Sequence, residues 1–231
     1  MIWSFVRWSR AGVISTALLF MPALALAVEP GFYLGGFYGQ AESALGIGVF
    51  DEDAQEFYDE YPFVRTATDS DLDTTDTVYG FFGGYRFTDY WAIEGGFVDL
   101  GEFVYREEST GNFTYDPPGT PPSTFREKLV AESRGMQISA LAILPVGYRF
   151  ELYGRASFAY LSSKLRRSID DDQLFDVSQS DTTYMVGAGV SCMLAEIYRI
   201  RLEYQRAFDV NYAELDQADV DTLSLGFAVT F

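Results

Sequence analysis

Apolar and polar residues alternate strictly over the last nine residues of the chain. Leu223, Leu225, Phe227, Val229 and Phe231 supply the apolar side chains, and small or polar residues stand between them. A period of two is the pattern of a β-strand whose two faces meet different environments. The sequence therefore predicts a strand that ends on a large aromatic side chain.

Seven further segments share this period, so the pattern predicts eight strands. Each is long enough for a tilted strand of about 9–11 residues to cross a bilayer. In chain order the predicted strands are Gly31–Gln40, Thr77–Phe87, Trp91–Gly101, Gly135–Val146, Phe150–Leu161, Thr183–Leu194, Arg199–Arg206 and Asp221–Phe231.

The segments between the predicted strands alternate between short and long. Short turns fall at Thr88–Tyr90, Gly147–Arg149 and Ala195–Tyr198, whereas the long polar links are Ala41–Asp76, Glu102–Arg134, Ser162–Thr182 and Ala207–Val220. Short turns at one end and long loops at the other are typical of outer-membrane barrels. The predicted fold is all-β, an eight-stranded antiparallel up-and-down transmembrane β-barrel. A soluble β-sandwich also alternates, but it does not account for the asymmetry of the loops.

Side-chain parity predicts which residues face the lumen. Aromatic and aliphatic side chains share one face, and the charged residues at mid-strand fall on the other, since a charge facing lipid at the midplane costs about 2–4 kcal/mol. We expect these residues to form an interior network that fills a narrow eight-stranded barrel; a conducting path is the alternative. The expected lumen network comprises Arg86, Glu94, Arg155, Arg201 and Glu203.

Composition supports a membrane barrel. Aromatic residues make up 17% of the chain, more than a buried globular core needs, and barrels place such rings in girdles at both membrane interfaces. The formal net charge is −18 at pH 7, and so acidic a surface repels nucleic acid. We therefore expect outer-membrane lipid as a partner and no nucleic-acid partner.

The first residues have the pattern of a cleaved secretory signal peptide. Arg7 and Arg10 precede the apolar stretch Ala11–Pro22, and Ala25 and Ala27 supply small residues for cleavage. We expect residues 1–27 to be removed and residues 28–231 to form the barrel domain, exported to the bacterial outer membrane. A retained N-terminal anchor is the alternative.

Several strands resemble a known family. The segments GFFGGYRFTDYWAIEGGFVDLG (Gly80–Gly101), GMQISALAILP (Gly135–Pro145) and RLEYQ (Arg201–Gln205) resemble the OmpA-type and OmpX-like family of small eight-stranded outer-membrane barrels. The resemblance covers the transmembrane domain only. It implies a lumen filled by charged side chains, with Glu94 and Arg201, and Arg155 and Glu203, at matching positions. The peptidoglycan-binding domain of longer members is not expected here.

The terminal strand also resembles the assembly signal of bacterial outer-membrane proteins. Phe227, Val229 and Phe231 stand at the alternating positions of that signal. The resemblance implies that the barrel-assembly machinery is a partner during biogenesis.

Catalytic chemistry is not expected. The chain has no histidine, which removes Ser-His and Asp-His hydrolysis and histidine metal sites. The run DSDLD at Asp69–Asp73 begins like a calcium loop, but Thr74 replaces the glycine and Gly80 replaces the closing glutamate. We expect no enzyme, no cofactor and no metal site, with a lipid-modifying enzyme as the least favoured alternative; whether the acidic segment Ala41–Asp76 binds calcium is left open.

One basic cluster stands beside a girdle residue. Lys164, Arg166 and Arg167 follow Tyr160, and Lys164 and Arg166 share its outward parity. Because outward cations at that height can bind the phosphates of lipopolysaccharide, we expect Lys164, Arg166 and Arg167 to form a lipopolysaccharide-binding cluster. The alternative is that they balance the charge of Asp170–Asp172.

These patterns predict a monomeric outer-membrane barrel with a structural or surface-interaction role, in adhesion or as an envelope scaffold. The prolines of Asp116–Thr124 predict a stiff, extended loop tip that suits an extracellular ligand. A narrow small-ion pore is the alternative function.

Overall fold

The computed structural model describes residues 30–46, 63–170, 172–212 and 217–231. The predicted signal peptide lies outside these residues and stays a prediction, as does the part of the acidic segment that falls within residues 47–62. No described segment forms a helix that is long and apolar enough to cross a membrane.

The described residues form nine β-strands that close into a ring. The strands are β1 Gly31–Ser43, β2 Phe63–Asp73, β3 Thr75–Thr88, β4 Trp91–Phe113, β5 Ser123–Val146, β6 Phe150–Ile169, β7 Asp172–Ala195, β8 Tyr198–Val210 and β9 Ala218–Thr230. β2 and β3 pair with successive parts of β4 and are separated by Thr74 alone, so they make one strand of the wall. β9 pairs antiparallel with β1, from Tyr33 opposite Thr230 to Ser43 opposite Val220. The prediction of an eight-stranded antiparallel barrel is therefore confirmed.

The four links predicted as long loops are largely β-strand. β2 lies inside the first of them, β4 and β5 extend through most of the second, and β6 and β7 leave only residues 170–171 between them. The predicted bounds of these loops are wrong. Beyond the membrane the outward side chains are polar, so the sequence there lacks the apolar outward positions from which the strands were predicted. Many inward positions there are apolar, as at Leu129 and Leu165, although Glu127 and Arg167 also face inward. This buried face keeps the strands paired.

The two faces of the wall separate as parity predicts. Large apolar side chains point outward and are exposed, among them Phe32, Phe87, Trp91 and Phe231 near the short turns and Tyr38, Tyr79, Tyr160, Tyr184 and Tyr204 farther along the strands. These two sets form the aromatic girdles that bound the apolar band of a membrane barrel. We call the short-turn side the lower end and the other side the upper end.

The wall is uneven in height above the upper girdle. β6 continues from the girdle residue Tyr160 to Ile169, and β4, β5 and β7 continue beside it. β1 ends at Ser43 and β8 ends at Val210. Within the described residues, the upper extension is therefore a five-stranded sheet of β2, β4, β5, β6 and β7 that rises from one flank of the barrel.

The tip between β4 and β5 is folded into turns instead of the predicted extended form. The N–H of Asp116 donates to the carbonyl of Phe113, and the N–H of Thr120 donates to that of Pro117. Gly119 has φ +90°, a left-handed conformation that favours glycine. Glycine therefore lets the chain turn back despite the neighbouring prolines.

Candidate functional site: the filled lumen and the outer basic face

The inward positions of β6 pass through every layer of the lumen. From the lower end to the upper end they are Glu151, Tyr153, Arg155, Ser157, Ala159, Leu161, Ser163, Leu165 and Arg167, all buried. The row begins with a tyrosine between two charged residues, continues with hydroxyl and apolar side chains, and ends with a charged residue. The lumen is thus a stack of chemically distinct layers.

The central cluster consists of Glu94, Arg155, Arg201 and Glu203. Glu94 accepts from Arg155 Nη2 and from Arg201 Nη1, each at 2.5 Å. Arg155 Nε pairs with Glu203 Oε2 at 3.1 Å. Each carboxylate thus meets a guanidinium inside the barrel, which compensates the cost of burying these charges.

Two tyrosines complete the central cluster. Tyr33 donates its hydroxyl hydrogen to Glu94 at 2.7 Å, and Tyr153 donates to Glu203 at 2.7 Å. The guanidinium of Arg201 lies 5.1 Å from the ring centre of Tyr33 and 5.6 Å from that of Tyr153. Sequence reasoning missed Tyr33 and Tyr153, although Tyr33 alternates with the outward Phe32 and Leu34 and so occupies an inward position.

Glycines make room for these rings. A Cβ atom on Gly84 would lie 2.5 Å from Cζ of Tyr33, and one on Gly189 would lie 2.5 Å from Cζ of Tyr153. Gly84 is the direct pairing partner of Tyr33, and Gly189 that of Tyr153. Each ring can therefore lie against the neighbouring strand only because that strand has no side chain there.

Arg86 does not join the central cluster. It forms a separate rim cluster at the lower end with Glu151 and Arg199, in which Glu151 accepts from Arg86 Nη1 at 2.7 Å and from Arg199 Nη1 at 2.5 Å. Arg86 also donates to the carbonyls of Thr88 and Asp89. Sequence reasoning missed Glu151 and Arg199, although both occupy inward positions next to a short turn.

Above the central cluster, a hydroxyl and amide layer precedes an apolar plug. Ser139 and Ser157 share a hydrogen bond of 2.8 Å, and Gln205 donates to Ser157 at 3.3 Å. Over them lie fully buried apolar side chains from many strands, which we call the apolar plug: Val78, Val98, Leu100, Phe103, Tyr105, Leu129, Leu161, Leu165, Met185, Val210, Tyr212 and Val220. The plug packs the lumen with hydrophobic side chains at and above the upper girdle.

Arg167 lies inside the upper extension, away from Lys164 and Arg166. Its Nε pairs with Glu127 at 2.7 Å, and its guanidinium stands 5.3 Å from the ring centre of Phe175. The prediction that Arg167 belongs to the lipopolysaccharide-binding cluster is therefore wrong. Side chains alternate along β6, so Arg167 points inward where Arg166 points outward. Glu107 lies opposite Glu127 in the register and accepts from Arg65 at 2.8 Å and from Tyr105.

The outward cations form a basic face on β5 and β6. Lys164 and Arg166 both pair with Glu132, at 3.8 Å and 2.8 Å. Arg134, next above the girdle position Met136, is exposed and lies opposite Ser162 in the register. We call Arg134, Lys164 and Arg166 the outer basic face. Sequence reasoning missed Arg134 because it assigned that residue to a loop.

A second outward pair lies across the barrel from this face. Arg206 holds Asp221 with two hydrogen bonds of 2.6 Å and 2.5 Å, and Tyr204 donates to the same carboxylate. These hydrogen bonds from Arg206 hold the pKa of Asp221 below its usual value. The pair stands just above the upper girdle.

The terminal strand sits in the lower girdle. Phe227 stacks on Tyr198 with ring centres 5.7 Å apart, and the N–H of Phe231 donates to the carbonyl of Phe32 at 2.9 Å. Phe231 is exposed, whereas Val229 is half-buried. Their role as an assembly signal stays a prediction.

The acidic run Asp69–Asp73 does not form a loop. It lies in β2, paired with Val104–Glu108 of β4. Among the described residues, no three His, Cys, Asp or Glu side chains come together as a metal site requires.

Comparison with protein families gives a match over residues 11–231 to the outer membrane protein beta-barrel domain. The chain belongs to this family of outer-membrane barrels. No curated protein matches the chain significantly.

Several solved structures of small outer-membrane barrels are similar in fold to this chain. Neisserial surface protein A, from Neisseria, has 14% identity and a TM-score of 0.50, covering 87% of this chain and 97% of that one. Ail of Yersinia pestis, solved in complex with the heparin analogue sucrose octasulfate, has 16% identity and a TM-score of 0.44 over 87% and 99%. The N-terminal barrel domain of OprF from Pseudomonas aeruginosa has 12% identity and a TM-score of 0.42 over 87% and 98%. At these identities the likeness concerns the fold alone.

Proposed function

We propose that the protein is a non-conducting outer-membrane barrel whose function lies in surface interaction, in adhesion or as an envelope scaffold. The upper extension carries this proposal. Its strands continue beyond the girdle with a buried core of their own, including Phe103, Leu129 and Leu165. A sheet packed in this way holds its outer surface in a fixed shape, as recognition requires.

The filled lumen argues against the alternative of a narrow ion pore. An ion crossing the barrel would have to pass the central cluster and then the apolar plug. Eight strands enclose an interior that side chains fill, and the plug consists mainly of hydrophobic side chains, which give a permeating ion few polar partners.

Planar-bilayer recording tests the choice between these functions. We expect refolded residues 28–231 to give no reproducible conductance steps while an unfolding assay shows folded barrel. Steps that change in Glu94→Gln, at the centre of the lumen, would support the pore instead.

The outer basic face supports a more specific partner, the phosphate groups of lipopolysaccharide. Arg134, Lys164 and Arg166 carry three positive charges just above the upper girdle. Glu132 pairs with Lys164 and Arg166, and Asp99 and Asp176 lie opposite Arg134 and Arg166 in the register. If the upper end is extracellular, as short periplasmic turns require, the lipid headgroups lie at this height. Each basic residue near a charged membrane surface contributes about 1 kcal/mol.

Lipopolysaccharide affinity tests this assignment. We expect the variant with Arg134→Ser, Lys164→Ser and Arg166→Ser to bind about a hundredfold more weakly, since about 1.4 kcal/mol corresponds to tenfold. Arg126→Ser is the matched control, because Arg126 is also outward on β5 but lies farther from the girdle and pairs with Glu108. Equal affinity of the triple variant and the parent protein would refute the assignment.

A further inference from the structure

A small cavity lies inside the lower end of the barrel, between the rim cluster and the central cluster. Its volume is about 20 Å³, which suits a single species about the size of a water molecule. The polar side chains that line it are Tyr33, Arg86, Glu151, Tyr153, Arg199, Arg201 and Thr230. The cavity is thus bordered by three guanidinium groups and one carboxylate.

The charges around this cavity do not cancel. Within the central cluster, two arginines face two glutamates. In the rim cluster, Arg86 and Arg199 share the single carboxylate of Glu151. Asp89 lies half-buried in the turn at the rim, where it can share the charge of Arg86, but it does not line the cavity. Glu94, Glu203 and Asp89 lie outside the lining, so the side chains that border the cavity, three arginines and one glutamate, carry an excess of positive charge.

Hydrogen-bond donors also exceed acceptors there. Both oxygens of Glu151 already accept from arginine, and the hydroxyls of Tyr33 and Tyr153 donate to the central cluster. Arg199 and Arg201 each give only Nη1 to a carboxylate among the described residues. A guanidinium has five N–H groups, so these two arginines have donors left to meet a ligand in the cavity.

We infer that this cavity binds one small inorganic anion of the halide type, held by Arg199 and Arg201. An anion supplies the missing negative charge, and its bonds to guanidinium are charge-assisted, hence stronger than those of water. The low dielectric of the barrel interior strengthens the attraction further. The size of the cavity excludes a phosphate ester or a larger carboxylate.

Bromide diffraction tests the inference directly. Crystals of residues 28–231 grown in sodium bromide should show an anomalous peak in the cavity within hydrogen-bond distance of Arg199. Crystals of Arg199→Gln should lose the peak, while those of Arg206→Gln, which changes an arginine outside the lumen, should keep it. A cavity that holds only water in the parent protein, or a peak unchanged in Arg199→Gln, would overturn the inference.

Thermal unfolding gives a second test that does not need the variant to crystallise. At equal ionic strength, replacing sulfate with chloride should raise the unfolding temperature of the parent protein relative to that of Arg199→Gln in a saturable way, because the general stabilising effect of sulfate acts on both proteins. Ligand binding to the folded state alone stabilises it in this manner. Arg199→Gln should weaken the apparent chloride affinity about tenfold or more, because a hydrogen bond to a charged group is lost. An equal response of the parent protein and Arg199→Gln to the two salts would count against a bound anion.

Discussion

Tyr153 lies over Gly189, its direct partner on the neighbouring strand, so closely that a methyl group on Gly189 would stand 2.5 Å from the ring. The same methyl group would stand 2.7 Å from the carbonyl oxygen of Leu202. The glycine thus fixes the position of the ring that donates to Glu203. Rings such as that of Tyr153 can pack this closely against the wall only where the facing strand carries a glycine.

The variant Gly189→Ala should therefore destabilise the barrel. We expect the free energy of unfolding to fall by about 1–3 kcal/mol, the usual cost of overpacking a close-packed interior. Gly154→Ala is the control: Gly154 is exposed on the outer surface of β6, and a Cβ there meets only the carbonyl oxygen of Gly187, at 4.0 Å. Its stability should change by about 0.5 kcal/mol or less. Urea unfolding in lipid vesicles, read by tryptophan fluorescence, measures both; equal losses would contradict the role of the ring.

Replacing Glu94 should have the largest effect of any single lumen change. Glu94→Gln keeps the shape but leaves Arg155 and Arg201 without the carboxylate they share. Breaking a buried ion pair from one side costs about 3–5 kcal/mol. Glu108→Gln, in the exposed pair with Arg126, should cost about 1 kcal/mol or less. The same unfolding assay compares them, and a Glu94→Gln protein as stable as the parent would mean that the cluster contributes little.

Arg166 and Arg167 are neighbours in sequence with opposite expected roles. Arg166→Ser should weaken lipopolysaccharide binding and leave stability nearly unchanged, because Arg166 is outward and its pair with Glu132 is partly exposed. Arg167→Ser should destabilise the upper extension, because it leaves Glu127 buried without that cation. Binding and unfolding measured on both variants decide the matter; an Arg167→Ser protein that is stable but binds poorly would place Arg167 outside.

The Arg206–Asp221 pair should make stability depend on pH at the acidic end. The pKa of Asp221 is lower in the folded chain than its unfolded value of about 3.9. The pair's contribution is therefore fully present above about pH 4 and is lost as pH falls through the folded pKa. Unfolding midpoints measured between about pH 2 and pH 6 should show this loss in the parent protein.

Asp221→Asn should lack that part of the pH dependence. Arg206→Gln should lose most of it, because the hydrogen bonds from Arg206 are the main cause of the lowered pKa and the hydrogen bond from Tyr204 adds to them. If Arg206→Gln kept the full acid dependence, another group would have to be its source.

Alternation predicted the strands, because a strand in a membrane faces lipid on one side and the lumen on the other, and the unequal links between the strands favoured a barrel over a soluble sandwich. Alternation also placed Glu94, Arg155, Arg201 and Glu203 on the inner face, where the structure brings them together. It could not show that Arg86 pairs with Glu151, since partners on distant strands depend on the tilt and register of the closed barrel. The register also decides that Tyr33 and Tyr153 each meet a glycine.

The upper extension was missed for a different physical reason. Beyond the membrane, the outer face of β5 turns from apolar at Met136 to charged at Arg134 and Glu132, while the inner face stays apolar at Ala131 and Leu129. Where water replaces lipid, the outer face is polar and the inner face is largely apolar, as in a soluble sheet. The apolar outer face that marks a membrane strand is therefore missing. Acidic composition then suggests a loop where hydrogen bonding continues a strand.

Because the wall is uneven in height, the two flanks of the barrel differ from each other within the plane of the membrane. A neighbour approaching along the bilayer from the flank of β5 and β6 meets a tall charged sheet, whereas one approaching from β1, β8 and β9 meets strands that end soon after the girdle. The orientation of the barrel about the membrane normal therefore decides which neighbours contact the upper extension. For a symmetrical cylinder, this orientation would make no difference.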